Sequence, residues 1–238
     1  MSELKDIFGK RKHPNIYSDK IIPTESEIRD IVKQAYPLVT SFRKAFAYEI
    51  HVLGPNKERS NELWKICEGH KQKIDDDNYG DNAIQIKSMG MLHINTAPWT
   101  LIATPRVTEP NGFQNDVTGK SHWEFADYDF MNKNNRESGA LEIGMIAKMI
   151  MGFAIQRGWD SGYCVCFPKT LESWQDYPFL KFYPTLIQTI GKATKYEYQC
   201  KTEKELELNT APPLETIFKF YDSIKDDPFK GTSIEGKD

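Results

Sequence analysis

One stretch of the chain restricts its fold more than any other. Leu141, Met145, Ile146, Met149, Ile150, Phe153 and Ala154 recur at helical spacing and make a wide apolar stripe. A helix with such a stripe must be covered by other elements, so a central, mostly buried helix is expected. Gly158 stands where its C-cap would fall. The apolar run from Leu141 to Ile155 is interrupted by Glu142 and Lys148. It is shorter than the ~20 apolar residues of a membrane span, so no membrane association is expected.

The elements that would cover this helix read as a mixture of helix and strand. Thr24-Glu25-Ser26-Glu27 has the form of a capping box. Ile28, Ile31, Val32, Ala35 and Tyr36 follow on one helical face, and Pro37 ends the helix. Phe46, Tyr48, Ile50 and Val52 alternate with Ala47, Glu49 and His51, which predicts a strand closed by the turn Gly54-Pro55-Asn56. A polar helix is expected over residues 57–73, followed by an acidic turn at Asp75-Asp76-Asp77-Asn78. Strands are expected at 99–107, 162–167 and 186–190, the last closed by Gly191. Residues 109–136 are polar, aromatic and Gly/Asn-rich, and a connection of that length reads as a functional loop or lid. A helical period returns at 214–224, and 226–238 reads as a loose tail. No internal repeat is present. The fold class is α+β, in a single domain over 1–238.

Composition narrows the function. The chain has 238 residues, 31 Lys+Arg against 34 Asp+Glu, and a net charge of −3. Such a balance gives no basic stripe for nucleic acid. Residues 1–12 are charged and lack an apolar core, so no secretory signal is expected. Four cysteines, Cys67, Cys164, Cys166 and Cys200, are too few for a disulfide scaffold. Reduced thiols and a cytoplasmic setting follow as expectations.

Single motifs carry little. Thr118-Gly119-Lys120-Ser121 ends like a phosphate-binding loop, but Gln114 stands where the first glycine is needed. The acidic run lacks the spacing of a calcium loop. His13, His51, His70, His93 and His122 show no zinc-binding spacing, so no metal is expected. Cys164 and Cys166, two apart on a strand, point to one face. They read either as a redox pair or, preferably, as small buried apolar groups.

The order of the pieces resembles the nitroreductase family, the FMN-dependent NAD(P)H oxidoreductases. The resemblance opens at Arg11-Lys12-His13-Pro14-Asn15, with an aromatic at Tyr17 and Pro23 before the capped helix. Lys12, His13 and Asn15 stand where Arg, Ser and Arg or Lys are usual. Thr40-Ser41-Phe42-Arg43-Lys44-Ala45-Phe46 occupies the segment where the family carries Ser, Asn and then Gln-Pro-Trp, without the Asn and Gln. Ala97 to Ala103 is similar to the second strand of the family, 138–158 to its central helix, and Ile190-Gly191 to its late strand. Asn209-Thr210-Ala211-Pro212-Pro213 stands near the place of the usual C-terminal Lys/Arg pair, with Lys201 and Lys204, or Lys192 and Lys195, as nearby cations.

The resemblance implies a central, mostly antiparallel sheet flanked by helices, in an intertwined homodimer with FMN sites built by both chains. FMN brings a dianionic phosphate, which Arg/Lys or backbone N–H groups hold. The implied cofactor residues are Arg11, Lys12, His13, Asn15, Ser41, Arg43, Lys44, Lys201 and Lys204, with backbone at Cys166 and Phe167 beside the flavin ring. His122, Trp123 and Phe125 of the lid would cover the flavin, and 212–238 would pack on the partner subunit. NAD(P)H would be the transient hydride donor, and a quinone, nitroaromatic or similar planar molecule the acceptor. No side chain is assigned as catalytic, since the flavin carries the redox chemistry. The missing Asn/Gln set and the sparse C-terminal cations support an alternative, a redox-inactive protein of this fold that binds a ligand or partner.

Overall fold

The computed structural model describes Ile7, Gly9 and residues 12–39, 46, 48–79, 92–106 and 128–196. These lie within the compact unit Met1–Cys200. In chain order the elements are β1 (Pro14–Tyr17), α1 (Glu25–Ala35), β2 (Tyr48–Leu53), α2 (Lys57–Tyr79), α3 (Leu92–Thr96), β3 (Trp99–Pro105), α4 (Tyr128–Gln156), β4 (Asp160–Cys164), β5 (Leu186–Gly191) and β6 (Ala193–Tyr196). Short 3₁₀ turns occupy Tyr36–Leu38 and Leu171–Trp174.

Four strands form one sheet in the order β2-β3-β5-β4, and β1 pairs with β6 in a second. Every pairing is antiparallel. The mostly antiparallel α+β reading therefore holds for the described residues. Register is fixed by pairs such as Val52 with Leu101, Leu101 with Gln188, and Gly162 with Thr189. β3 is central in order and buried from Trp99 to Thr104.

Both faces of the sheet are covered. On one, Ile28, Ile31 and Ala35 of α1 and Ile143, Ile146, Ile150 and Ala154 of α4 meet Trp99, Leu101, Ala103 and Ile190. On the other, Leu63 and Cys67 of α2 and Ile94 of α3 meet Ile102, Cys164 and Ile187. Phe167, Trp174, Tyr177 and Leu180, from the connection after β4, complete that second cluster. Alternation explains the division: successive side chains of a strand leave opposite faces.

Local signals hold the elements in place. The Thr24 side chain accepts from the Glu27 amide, and Glu27 accepts from the Thr24 amide at 2.8 Å, so the capping box forms as expected. The Trp99 indole donates to the Pro23 carbonyl at 2.7 Å, tying the entry of α1 to β3. Gly158 ends α4 with φ of +80°, a conformation that glycine adopts without steric cost. Tyr163 Oη and Gln188 Nε2 both donate to the Ala147 carbonyl, at 2.9 and 3.1 Å, and so anchor α4 to the sheet.

Several expectations require correction. The acidic run 75–78 is not a turn: α2 continues to Tyr79. Aspartate costs an exposed helix well under 1 kcal/mol per residue, too little to end it. The expected loop 109–136 is shortened, because α4 starts at Tyr128. The stripe on α4 is rotated from the expected one: Leu141 is 68% exposed and Met145 36%, while Ile143, Ala147 and Met151 are buried. The strand expected at 162–167 ends at Cys164, and Val165 is 64% exposed. α3 and the β1–β6 pair are elements that the periodicity does not indicate.

Candidate functional site

The expected cofactor residues that the structure describes are Lys12, His13, Asn15, Cys166 and Phe167. Arg11, Ser41, Arg43, Lys44, Lys201 and Lys204 lie outside the described residues. So do the lid residues His122, Trp123 and Phe125, the phosphate-loop-like segment at 118–121 and the expected C-terminal helix and extension.

Lys12 and His13 enter β1 from its N-terminal end. The Lys12 Nζ stands 5.4 Å over the Tyr196 ring of β6, a favourable cation–π distance. Asn15 follows on β1 and is half-buried. The His13 ring meets His93 of α3 edge to face, with centroids 4.9 Å apart. His93 is buried, and its Nε2 has no hydrogen-bond partner among the described residues. Burial, with a smaller contribution from His13, lowers its pKa to about 3. Loss of hydration disfavours the imidazolium, so His93 stays neutral behind His13.

This corner joins β4 by close packing. A Cβ on Gly162 would lie 3.0 Å from Thr189 Oγ1, 3.1 Å from His93 Cδ2 and 3.1 Å from Pro14 Cγ. Glycine at 162 is what lets β1, α3 and β4 converge. Tyr17 locks the same seam: its hydroxyl is 2.9 Å from Thr189 Oγ1, and its amide donates to Thr96 Oγ1 at 3.0 Å. Burial drives the Tyr17 phenol well above its ordinary pKa, so it stays protonated.

Two residues beyond Gly162, β4 ends at Cys164, about 6.6 Å further along at strand rise. The chain then projects Val165 into solvent, turns back through half-buried Cys166, and buries Phe167 completely. Lys169 lies with its Nζ 3.6 Å from the Phe167 ring centroid. Burial lowers its pKa, opposed by the nearby thiols. Val165, at the tip of this turn, is thus exposed beside a buried aromatic that carries Lys169, and two residues before the end of the same strand Gly162 packs against His93 and Pro14. Cations and backbone at such a tip can receive an anionic, partly planar ligand.

Cys164 and Cys166 do not face one another as a strand pair. The Cys164 thiol donates to the Cys166 carbonyl at 3.6 Å, and Cys164 shares a buried cluster with Cys67 of α2. No spacing in the sequence joins Cys67 to Cys164, or His93 to His13. Neither pairing was indicated before the fold brought them together. No metal-binding group of three or more ligands occurs among the described residues.

Open grooves lined by described residues lie away from this tip. One, of about 390 Å³, runs between Ile28, Arg29, Val32 and Lys33 of α1 and Val52, Gly54 and Trp99. The other, of about 400 Å³, is apolar and lined by Leu38, Val39, Leu141, Met145, Lys148 and Met149. Gly139–Gln156 of α4 is long and apolar enough to cross a membrane by length and composition, but half of it is buried in this fold.

The architecture is that of the nitroreductase fold. A nitroreductase family protein from Streptococcus pneumoniae superposes with a TM-score of 0.58 at 18% identity, over 91% of this chain and 98% of that one. A nitroreductase with bound FMN from Desulfitobacterium hafniense gives 0.59 at 13% identity, over 93% and 100%. A BluB-like flavoprotein from Clostridium difficile gives 0.59 at 14% identity, over 92% and 98%. Neither a protein-family model nor a curated protein sequence matches the chain.

Proposed function

We propose that the protein is an FMN-dependent oxidoreductase that takes hydride from NAD(P)H and passes it to a planar acceptor such as a quinone or nitroaromatic. The observation that carries the reading is exposed Val165 next to Phe167 and Lys169, on a strand whose Gly162 packs against Pro14 and His93, the residues that adjoin Lys12 and His13. The described residues fit an FMN. Lys12, with Arg11 preceding it in sequence, supplies cationic charge for the phosphate, and His13 is backed by the neutral His93. Backbone at Cys166 and Phe167 is assigned to the flavin ring, as the family resemblance implies. FMN, when bound, supplies the two-electron redox chemistry. The chain orients it, balances its charge and limits access of water.

The same reading includes a homodimer. Leu38 (58% exposed), Leu141 and Met145 leave an apolar strip along α4 and the 3₁₀ turn before β2. A second copy of the chain laid on that strip would bury it, and contiguous apolar surface of this kind marks association sites. His122, Trp123 and Phe125 are proposed as the lid over the acceptor. Free thiols at Cys67, Cys164 and Cys166 agree with a reducing cytoplasm.

The test combines a visible spectrum with size-exclusion chromatography. A yellow dimer, or a colourless one that gains flavin absorbance with FMN and then oxidises NAD(P)H, is expected. Flavin-free dimer that takes up no FMN would instead support the ligand-binding alternative. Arg11→Ala should weaken FMN binding by about 1.5–3 kcal/mol if Arg11 contacts the phosphate. Unchanged affinity would move the phosphate elsewhere.

A further inference from the structure

Two imidazoles touch at the start of β1, and their surroundings differ. His93 of α3 is 5% exposed, and its Nε2 is buried without a hydrogen-bond partner. The neighbouring Cδ2 lies 3.1 Å from where a Cβ on Gly162 would stand, so β4 closes against that edge of the ring. An imidazolium donates from both nitrogens, and a buried donor without a partner costs about 1–3 kcal/mol, more when charged. A bare Nε2 lone pair avoids the larger cost, so His93 is the neutral member. Its low pKa, set by burial and then by His13, agrees. His13 precedes β1 and is half-buried, with exposed Lys12 before it. Its ring meets His93 edge to face, with centroids 4.9 Å apart and planes at 74°. That arrangement suits one charged and one neutral ring, because the positive edge of one meets the negative face of the other. Two imidazolium rings in contact would repel, so a single proton between them resides on His13. Other described ionisable groups surround this corner. On β6, Lys195 pairs with Ile16 and Tyr196 with Pro14. On β4, the Asp160 carboxylate accepts the Tyr196 hydroxyl at 3.1 Å and the Ala193 amide at 2.8 Å. Tyr17 stays protonated. From α2, packed on α3 through Leu63, Cys67 and Ile94, comes buried Glu68. Lys12 and Lys195 oppose a charge on His13, and Asp160 and Glu68 favour it.

We propose that His13, held against the neutral ring of His93, is the titrating contact for the phosphate monoester of this protein's ligand, so that affinity for that group falls as pH rises above neutrality. The assignment rests on the flavin reading for which molecule carries the phosphate, and not for the contact itself. His13 donates a charge-assisted hydrogen bond to a phosphate oxygen, stronger than a neutral one. His93 is a positioning residue that fixes the His13 ring and leaves the proton to it. A phosphate monoester loses its second proton near pH 6, roughly. His13 is charged below its midpoint, ordinarily about 6.5 and raised when a dianion sits beside it. Above about pH 7 the phosphate charge is constant, and loss of the His13 proton is what weakens binding. Lys12 keeps its charge there and supplies the constant part of the attraction.

The experiment uses the full-length, flavin-free protein with nitrogen-labelled histidine, its ring signals assigned through His13→Gln and His93→Gln. Imidazole NMR spectra are followed from about pH 5 to 9, the range in which histidine titrates, with and without inorganic phosphate at matched ionic strength. His93 should keep the neutral pattern throughout. His13 should titrate, and phosphate should raise its midpoint by about 0.5 unit or more, because a ligand that prefers the protonated form shifts it upward. His93→Phe, which keeps a neutral aromatic face, should preserve this response, and His93→Leu should diminish it. In parallel, FMN and riboflavin are titrated at about pH 7 and 9. The preference for FMN should fall about three- to tenfold over that range, and less than about twofold in His13→Gln, since a one-unit shift is worth tenfold. A His13 midpoint that phosphate does not move, a charged His93, or an FMN preference unchanged with pH would overturn the proposal. The wild-type spectra decide the matter even if a His93 variant does not fold. FMN binding with an unchanged preference would leave the flavin reading standing and remove this one. A phosphate response at His13 in protein that takes up no flavin would do the reverse.

Discussion

The two faces of the central sheet are packed in different ways. The face under α1 and α4 is largely aliphatic, with Ile28, Ile31, Ile143, Ile146, Ile150, Leu101 and Ile190 at its centre. The face under α2 mixes Leu63, Ile94, Ile102, Leu180 and Ile187 with Cys67, Cys164, Phe167, Trp174 and Tyr177, and part of it is supplied by irregular chain after β4. Aliphatic side chains hold a face by area removed from water, and similar shapes can replace one another at modest cost. Aromatic and thiol side chains add polar atoms that need partners once buried. The Trp174 indole finds the Pro168 carbonyl at 3.0 Å. The Tyr177 hydroxyl finds none among the described residues, and burial pushes its pKa up to about 12. The buried thiols lie on the second face, and aliphatic side chains predominate on the first.

The largest effect that would break this contrast is at Trp174. Trp174→Ala should cost about 3–5 kcal/mol, since it removes a fully buried aromatic and orphans the Pro168 carbonyl. Denaturant titration would show it as a lowered midpoint at unchanged slope. A loss below about 1 kcal/mol would mean that the irregular face is loosely packed and the contrast false. Next is the seam between the two sheets. A Cβ on Gly191 would lie 2.7 Å from Pro98 Cδ and 2.8 Å from Tyr17 Cδ1. Gly191→Ala should therefore destabilise by about 1–3 kcal/mol through overpacking, read as a fall in thermal midpoint.

A pH effect of similar size separates the faces by charge. His93 is neutral when folded, with its pKa near 3, and titrates at 6.5 when unfolded. Below 6.5 the unfolded chain binds more protons, so stability rises with pH between about 3 and 6.5 and is lost on acidification. His93 contributes at most about 1.4 kcal/mol per pH unit to that slope. His70 on α2, its pKa lowered by burial and by the Lys169 and Lys73 charges, adds in the same direction. His93→Phe should flatten the dependence between pH 6.5 and 5, before the carboxylates titrate; an unchanged slope would show that His93 is protonated in the fold. The smallest effects sharpen the aliphatic side. Ile150→Val should cost only about 0.5–1.5 kcal/mol, and Thr24→Ala about 1 kcal/mol through loss of the α1 cap. Both are measurable by urea titration.

What the sequence discloses follows the same division. The aliphatic face is written in periodicity: the capping box at Thr24, the α1 stripe, β3 and Gly158 can all be read before any coordinates. Its chief misreading, Leu141 and Met145 as core, has a physical origin. A stripe wide enough to cover both a sheet and an outer surface does not say which part meets which. β1 and β6 are four residues each, β6 has no buried position, and α3 has five residues, so none offers enough repeats to register. The second face depends on meetings across distant sequence. Cys67 joins Cys164 in one buried cluster, and His93 meets His13, only because α2 and α3 cover one side of the sheet. The family resemblance singles out Lys12–His13 and Cys166–Phe167, while Gly162, which packs against Pro14 and His93, carries no motif.

The central claim is that this tip and its cationic corner hold a flavin. Its most direct test is a fluorescence titration of flavin-free full-length protein with FMN, repeated with riboflavin. The account predicts saturable quenching with FMN at one site per chain, and affinity at least tenfold weaker for riboflavin, which lacks the phosphate. Absence of binding, or equal affinity for the two, would contradict it.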